Sequence, residues 1–587
     1  MTNPFSVVTP ENITSDDIKS LFVESIDFKS LEKKGHTFIH GHRGCGKSMA
    51  LQVLRSKNYI KYKGFENIKD LPFICIYIPI KRSVLASTEL ERLKNDILEK
   101  YFAEHMLCLH FAINICKELI DFIDYKISLD EKEINVFKNK IGLLGFDVSN
   151  LNNDFILKDL LNLFELNWSK DNLIRRKMSI ARRPEDISEP SILTTYHDFL
   201  LPLIKFLKKF DKNRVLNKDI LLLIDDADNL PLVFTEILNE WVLYRDTENI
   251  SFKISTQLKY KTFRTISNSR IEKPHDYNEI IFSYVVSSEK KKEYTNFVKD
   301  IVEKRLKTIN IDSTAYEFLP EKKSQVKRIQ EISEEFKKKW HEGKGKGNQV
   351  NDDAYRYARS DYIKELGGKR KQKSNYSYSG FKQLVNISSG IIRHFLEPLS
   401  KMYSEQLLKN PKNLEFIESS IQDNIIKRES DNFFTSQFEH LEKEITNNNV
   451  HEEKIIRLKN FITAIGQNFH YILLSDLSER RVFSFTISDE KNITTEIKEI
   501  LKLAIEYGLL YESKIGKKNS PGRTELYILT RVLAPYFKLD PNGFSGYQSL
   551  TTEWIKCALT NPNQKLAKLR QEDNNSLKNI QPTLPGF

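Results

Sequence analysis

Eight consecutive residues carry the strongest chemical signal in the chain: Gly41, His42, Arg43, Gly44, Cys45, Gly46, Lys47 and Ser48. Three glycines at this spacing let the backbone curl until its N–H groups converge into a cradle for phosphate oxygens. Lys47 has the reach for the terminal phosphates of a nucleotide, and Ser48 offers a hydroxyl to Mg²⁺. Met49 continues into the helix that should follow, whose N-terminus adds a positive dipole end. Residues 41–49 are therefore the expected nucleotide contacts. Such a site also calls for a carboxylate at the end of a neighbouring strand. Asp225 follows the apolar run 220–224 and is the expected metal partner beside Ser48. Asp226 comes next, where a carboxylate would orient the attacking water. Aspartate is one methylene shorter than glutamate, and misplacement by about 1 Å can cost about 100-fold in rate. A slow, switch-like ATPase is therefore as much the expectation as a fast motor.

These groups need a sheet to hold them. Residues 37–40 form a short β-favouring run ahead of the glycines, and 48–54 read as the first helix. Continuous apolar runs suit strands buried on both faces of a parallel sheet, and 220–224 has this character. Residues 250–256 read as the next strand, 279–286 as another, and 73–79 as one more on the other side of the phosphate loop. Ser255 and Thr256 close the 250–256 run with hydroxyls, and Thr256 is the expected polar contact to the reacting phosphate or water. Five strands with helices between them predict a doubly wound α/β domain.

The chain has 587 residues, with 91 Lys plus Arg against 80 Asp plus Glu, a net charge of +11. At roughly 150 residues per domain, that length suggests about four domain-sized units. A composition 40% hydrophobic and 29% charged supports a buried core and excludes a mostly disordered chain. The charge permits an anionic partner without requiring one. Five cysteines without a CxxC pair or zinc-type spacing argue against a disulfide framework or structural metal. The N-terminus lacks a signal-peptide pattern. The apolar stretch 106–120 is broken by His110, Asn114 and Lys117 and is too short to span a bilayer. A cytoplasmic protein without membrane contact is expected.

The segments GHRGCGKS, LLLIDDAD and the strand closing at Ser255-Thr256 resemble the AAA+ ATPases. Within them they resemble the origin-recognition-complex type of initiator ATPase. Residues 388–393, SSGIIR, are similar to that family's sensor 2. The resemblance implies ATP and Mg²⁺ as ligands, and that Arg393, on a lid helix at 391–403, reaches the nucleotide. It further implies a homo-oligomer in which an arginine is donated to a neighbour's ATP. Arg264 and Arg270 both lie in the window for that finger, and the choice between them stays open. The chain departs from the family in two places. About 140 residues separate 79 from 220, against the ~30 or more of a whole βαβ unit. Helical apolar spacing at 90–102, 106–122 and 196–210 makes this a helical insertion. The lid is also interrupted by a basic stretch, 324–380.

From residue 451 the pattern becomes helix (455–474), strand (481–487), amphipathic helix (494–509) and a hairpin of 510–515 and 524–529. This order resembles a winged helix, which in that family grips DNA. Lys514, Lys517, Lys518 and Arg523 offer phosphate contacts in the hairpin. Glu496, Glu499 and Glu506, beside Lys498 and Lys502, would repel phosphates from the helix. Further basic clusters are 175–177 with Arg182 and Arg183, and 369–373. Tyr376 and Tyr378 could stack on single-stranded bases. The expected layout is an ATPase core at 1–290 with its insertion at about 85–215 and a lid region at 291–405. A helical connector at 406–450, a winged-helix-like domain at 451–545 and a tail at 546–587 complete it. The expected function is an ATP-driven switch that assembles with itself or a separate effector protein. Its large insertions make it similar to ATPases of bacterial antiviral defence. The alternative is a DNA-binding replication or plasmid initiator. A nuclease constellation is not evident in the sequence.

Overall fold

A computed structural model describes residues 3–6, 13–25, 27–81, 85, 90, 96–120, 131–151, 156–180, 190, 192–210, 217–244, 249–282, 288–345, 348–368, 376–411, 414–445, 452–475, 480–516, 522–542 and 546–561. The chain divides into two compact units, one spanning 8–283 and the other 284–587 together with 1–7.

Five strands build the sheet of the first unit: β1 (Thr37–His40), β2 (Phe73–Pro79), β3 (Asp219–Asp225), β4 (Ile250–Thr256) and β5 (Asn278–Ile281). They pair in parallel in the order β2-β3-β4-β1-β5. This is the α/β architecture that the apolar runs predict. β4 is buried along its whole length, as a strand covered on both faces must be. Its one cation, Lys253, donates to the carbonyls of Lys33 and Gly35 and to the Thr37 hydroxyl. β2 departs from expectation. It lies at the sheet edge beside β3, in register to Pro79 opposite Asp225, because β4 and β5 occupy both edges of β1. β5 covers only the start of the expected 279–286 strand, and 283–286 lie outside the described residues.

The helices Asp96–Ile120, Glu131–Leu143, Ile156–Ile180 and Leu201–Phe210 form the insertion between β2 and β3. The last is entered through a π-helical turn, Tyr196–Leu200, capped reciprocally by Thr195 and Asp198. Asp96–Ile120 and Ile156–Ile180 run antiparallel, since His105 meets Asp171 at 3.1 Å and Lys117 meets Glu165 at 2.7 Å.

In the second unit, β6 (Val482–Ile487), β7 (Leu510–Gly516), β8 (Arg523–Leu529) and β9 (Gly546–Leu550) form a sheet in the order β7-β8-β6-β9. β7 and β8 are the expected hairpin. The helix Thr495–Glu506 buries Ile497, Ile500, Leu501 and Ala504, the face its spacing predicts. Two expectations are corrected. Residues 546–560 are not a tail: β9 pairs with β6, and helix Thr552–Thr560 packs on helix Glu452–Leu474 through buried Trp554, Ile555 and Leu559. Tyr376 and Tyr378 are buried rather than presented for stacking. The first meets Gln383 and Asp540, and the second donates to the Leu539 carbonyl at 3.0 Å. Within the basic lid stretch, helices Lys323–His341 and Val350–Gly368 pack together, with Arg328 bridging to Glu365. Residues 182–183, 369–373 and 517–518 lie outside the described residues.

Candidate functional site

β1 delivers the chain directly into the glycine loop. A Cβ on Gly41 would lie 2.6 Å from the Phe282 carbonyl oxygen and 2.7 Å from Cys45 Sγ, so only glycine fits there. Gly44 and Gly46 hold φ values of 85° and 102°, a left-handed region that side chains disfavour. Gly46 gives the helix Lys47–Leu54 no side-chain cap. The N–H groups of its first turn therefore lack helical acceptors and suit an anion. Lys47 is buried, its ammonium donating to the carbonyls of Gly41 at 2.7 Å and His42 at 3.1 Å, with Cys45 Sγ 3.9 Å away. Arg43 is exposed, while His42, Ser48 and Met49 are half-buried around the same turn.

Asp225 ends β3 with its carboxylate buried and held by three donors. Tyr77 Oη reaches Oδ2 at 2.8 Å, while the Ser255 hydroxyl and the Asp226 N–H reach Oδ1. Asp226 adopts φ 56° and ψ 41°, a left-handed conformation that costs a non-glycine residue roughly 1–2 kcal/mol. The residue as a whole is exposed, yet its carboxyl is pushed up to about 6 by loss of hydration first, then by Asp225 and Asp228, against Lys47 and Arg43. A carboxylate tuned toward neutrality beside a phosphate loop suits a proton acceptor or water-orienting role.

The residues fit a Mg²⁺–nucleotide. The loop supplies a cradle that a Cβ would fill, the uncapped helix start supplies N–H groups, and Lys47 supplies a cation. Among the described residues no group of three or more His, Cys, Asp or Glu could hold a metal. Mg²⁺ would thus rest on Ser48, Asp225 and phosphate oxygens, the last donor set typical of this ion.

Thr256 closes β4 as a buried residue. Its hydroxyl lies 2.7 Å from His40 Nδ1 and donates to the Gln257 carbonyl. Successive strand residues point to opposite faces, so Ser255, not Thr256, meets Asp225. Arg264 and Arg270 form an isolated antiparallel bridge between β4 and β5 and are both exposed. Paired residues share a face, so the two finger candidates stand side by side. Arg264 also donates to Asn268 Oδ1 at 2.9 Å. Arg393 belongs to the second unit, at the start of helix Ile392–Lys409, with Nε 3.8 Å from Glu397.

Three participants escaped the sequence reading. Tyr77 is the only hydroxyl-bearing residue of β2, a signal that was available. Arg55, just past the phosphate-loop helix, forms a two-pronged ion pair with Glu118 of the insertion, 63 positions away. Gln257 donates to Asp228 at 3.0 Å. In the second unit, Glu496 pairs with Arg457 and Glu499 pairs with Lys454. Two of the three carboxylates expected to repel DNA from helix Thr495–Glu506 are thereby neutralised, and Lys498 and Lys502 stay exposed. No described helix is long and apolar enough to cross a membrane.

No curated protein matches the chain. Among solved structures it is similar to Cdc6p from Pyrobaculum aerophilum, at 12% identity over 95% of this chain and 98% of that one, with a TM-score of 0.27. It is also similar to the Aeropyrum pernix Orc1 protein in complex with DNA, at 10% identity over 93% and 95% of the two chains, with a TM-score of 0.28. The ORC-CDC6-like family model matches residues 3–550, a span that takes in the glycine loop, the acidic end of β3 and the hairpin of the second unit. The chain belongs to the ORC-CDC6-like family of AAA+ proteins, and its nucleotide-binding character follows from that membership and from the loop built around Lys47.

Proposed function

We propose that this protein is an ATP-binding, slowly hydrolysing AAA+ switch that assembles with itself or with a separate effector protein. The observation that carries the reading is that Asp226, joined to Asp225 at the end of β3, feels the charges of Lys47 and Arg43 in the glycine loop that follows β1 and leads into an uncapped helix. In this reading Lys47 and the loop N–H groups bind the phosphates. Ser48 and Asp225 hold Mg²⁺, which supplies charge neutralisation on the transferred phosphoryl group. Asp226 orients water, and Arg264 or Arg270 serves a neighbouring copy. Arg393 reports the nucleotide state from the lid. The setting we put forward is bacterial antiviral defence, with the helical insertion as a dedicated partner-binding element.

The test uses the purified chain, Lys47→Ala and Asp226→Asn. ATP binding, turnover and particle mass are measured with and without duplex DNA. Lys47→Ala should lose binding, and Asp226→Asn should bind but not turn over. A wild-type chain that binds no ATP sinks the reading. Phage protection unchanged by Lys47→Ala, in a host carrying the neighbouring genes, sinks the defence setting.

A second reading, a DNA-loading initiator, is favoured by one observation. The Glu496–Arg457 and Glu499–Lys454 pairs leave Lys498 and Lys502 as the exposed charges beside Glu506 on the helix that would enter a groove. Duplex binding that weakens steeply with salt, and is lost on Lys498→Glu with Lys502→Glu, supports it.

A further inference from the structure

Helix Ile156–Ile180 of the insertion buries one face against the core through Leu160, Phe164 and Met178. Its opposite face carries Leu166, Leu173 and Ile180, which are 55%, 52% and 80% exposed. They fall seven residues apart, so they line up along one side of the helix. Between and beside them Lys170, Arg176 and Lys177 are exposed, and no carboxylate on this helix is fully exposed. Glu165 is half-buried and already engaged by Lys117, and Asp171 is buried against His105. Scattered exposed leucines need no explanation, but in a heptad-spaced apolar row whose fully exposed charged neighbours on this helix are cations, Asp159 and Glu165 being half-buried, both period and sign form a pattern.

We infer that this face docks an acidic amphipathic helix of a separate protein, its apolar residues seated on Leu166, Leu173 and Ile180 and its flanking carboxylates on Lys170, Arg176 and Lys177. The period selects a helix lying nearly along this one, because a seven-residue repeat keeps two helices in register over successive turns. Charge complementarity selects an acidic occupant and disfavours a second copy, whose matching face would bring cations against cations. The inference names the chemistry of the effector in the proposed function and rests on that part of the reading alone.

The test titrates the full-length chain against a fluorescent four-heptad peptide with Leu at the core positions and Glu at the flanks, and against the same peptide with Lys at the flanks. The Glu peptide should bind, more weakly as salt rises, and the Lys peptide should not. Leu166→Ser with Leu173→Ser and Ile180→Ser should weaken binding by about tenfold or more. Lys170→Glu with Arg176→Glu and Lys177→Glu should reject the Glu peptide and accept the Lys peptide, a reversal that a misfolded variant would not give. Binding should survive Lys47→Ala, so failure of the nucleotide reading leaves this one standing. Equal binding of both peptides, or undiminished binding by the serine variant, overturns the inference. So does loss of duplex DNA binding or of self-association in the serine variant, which would assign the face to nucleic acid or to a second copy.

Discussion

The phenol of Tyr77 donates to Oδ2 of Asp225 at 2.8 Å, joining an edge strand to the acidic end of its neighbour across 148 positions of sequence. The bond fixes one oxygen of a buried carboxylate whose other oxygen is held by Ser255. Hydrogen bonds to charged groups contribute about 1.5–3 kcal/mol. Tyr77→Phe should keep the fold, lower stability by that order in urea unfolding and reduce turnover at saturating ATP. Unchanged turnover would mean that Asp225 needs no such anchor.

Ser255 and Thr256 are adjacent hydroxyls with separate duties. Ser255 donates to Asp225 and accepts the Asp226 N–H at 3.0 Å, whereas Thr256 faces His40. Removing the Ser255 hydroxyl takes one of three donors from the Asp225 carboxylate and an acceptor from the Asp226 N–H. Ser255→Ala should lower kcat roughly 10-fold or more, on the order of one charged hydrogen bond. Thr256→Val should change kcat far less. The opposite ranking in single-turnover assays would make Thr256 the residue facing the chemistry.

Two glycines of the loop should fail for different reasons. Gly41→Ala drives a methyl into the Phe282 carbonyl oxygen at 2.6 Å, and backbone cannot swing away. Gly46→Ala meets open space but must hold φ 102°, at a cost of roughly 1–2 kcal/mol. Thermal melts should show Gly41→Ala lowered more than Gly46→Ala, and both should bind nucleotide poorly in fluorescence titrations.

The parallel strands were legible because burial on both faces leaves apolar runs with no alternation to misread, and the glycine loop because its chemistry dictates its spacing. What the run 250–256 could not reveal was which of its two terminal hydroxyls faces Asp225. That depends on the pleat and on β3 lying alongside, neither of which local sequence records. β2 was recognised as a strand but placed on the wrong side, since pairing order is set by long-range packing. Gly546–Leu550, with alternating burial, was read as tail because it pairs with β6, some sixty residues upstream. Arg55 and Glu118 are unremarkable alone and meaningful only once the insertion folds back.

Lys253 makes stability depend on pH in a definite direction. It is fully buried in β4, and loss of hydration holds its ammonium down to about 8 from an ordinary 10.5. Between those values the unfolded chain binds more protons than the folded one, so stability rises with pH. Below about 8 the charged form must be buried, and the penalty is full. Across the window the gain is roughly 3 kcal/mol, at 1.36 kcal/mol per unit. Lys253→Met should lack this rise, so the wild type's urea midpoint should gain on the variant's between pH 8 and pH 10. A difference that stays flat would place the ammonium in a better solvated site than the strand allows.

The Arg55–Glu118 pair ties the insertion to the phosphate-loop helix, and its energetics can be separated from its role in coupling. Glu118 is 7% exposed at its side chain and Arg55 20%, with the guanidinium also 5.9 Å from the centre of the Tyr77 ring. Removing one partner of a buried pair costs about 3–5 kcal/mol, whereas replacing both by apolar groups of similar volume is often close to neutral. Arg55→Met and Glu118→Leu should each destabilise the chain strongly, and the double variant should recover most of the loss, giving a large coupling energy in the cycle. Because Tyr77 also holds Asp225, the pair adjoins the carboxylate proposed to hold Mg²⁺ through a single side chain. The recovered double variant should therefore fold well and yet hydrolyse ATP more slowly than the wild type. Full recovery of both stability and turnover would make the pair a structural tie alone, and recovery of neither would show that the two residues act through different partners.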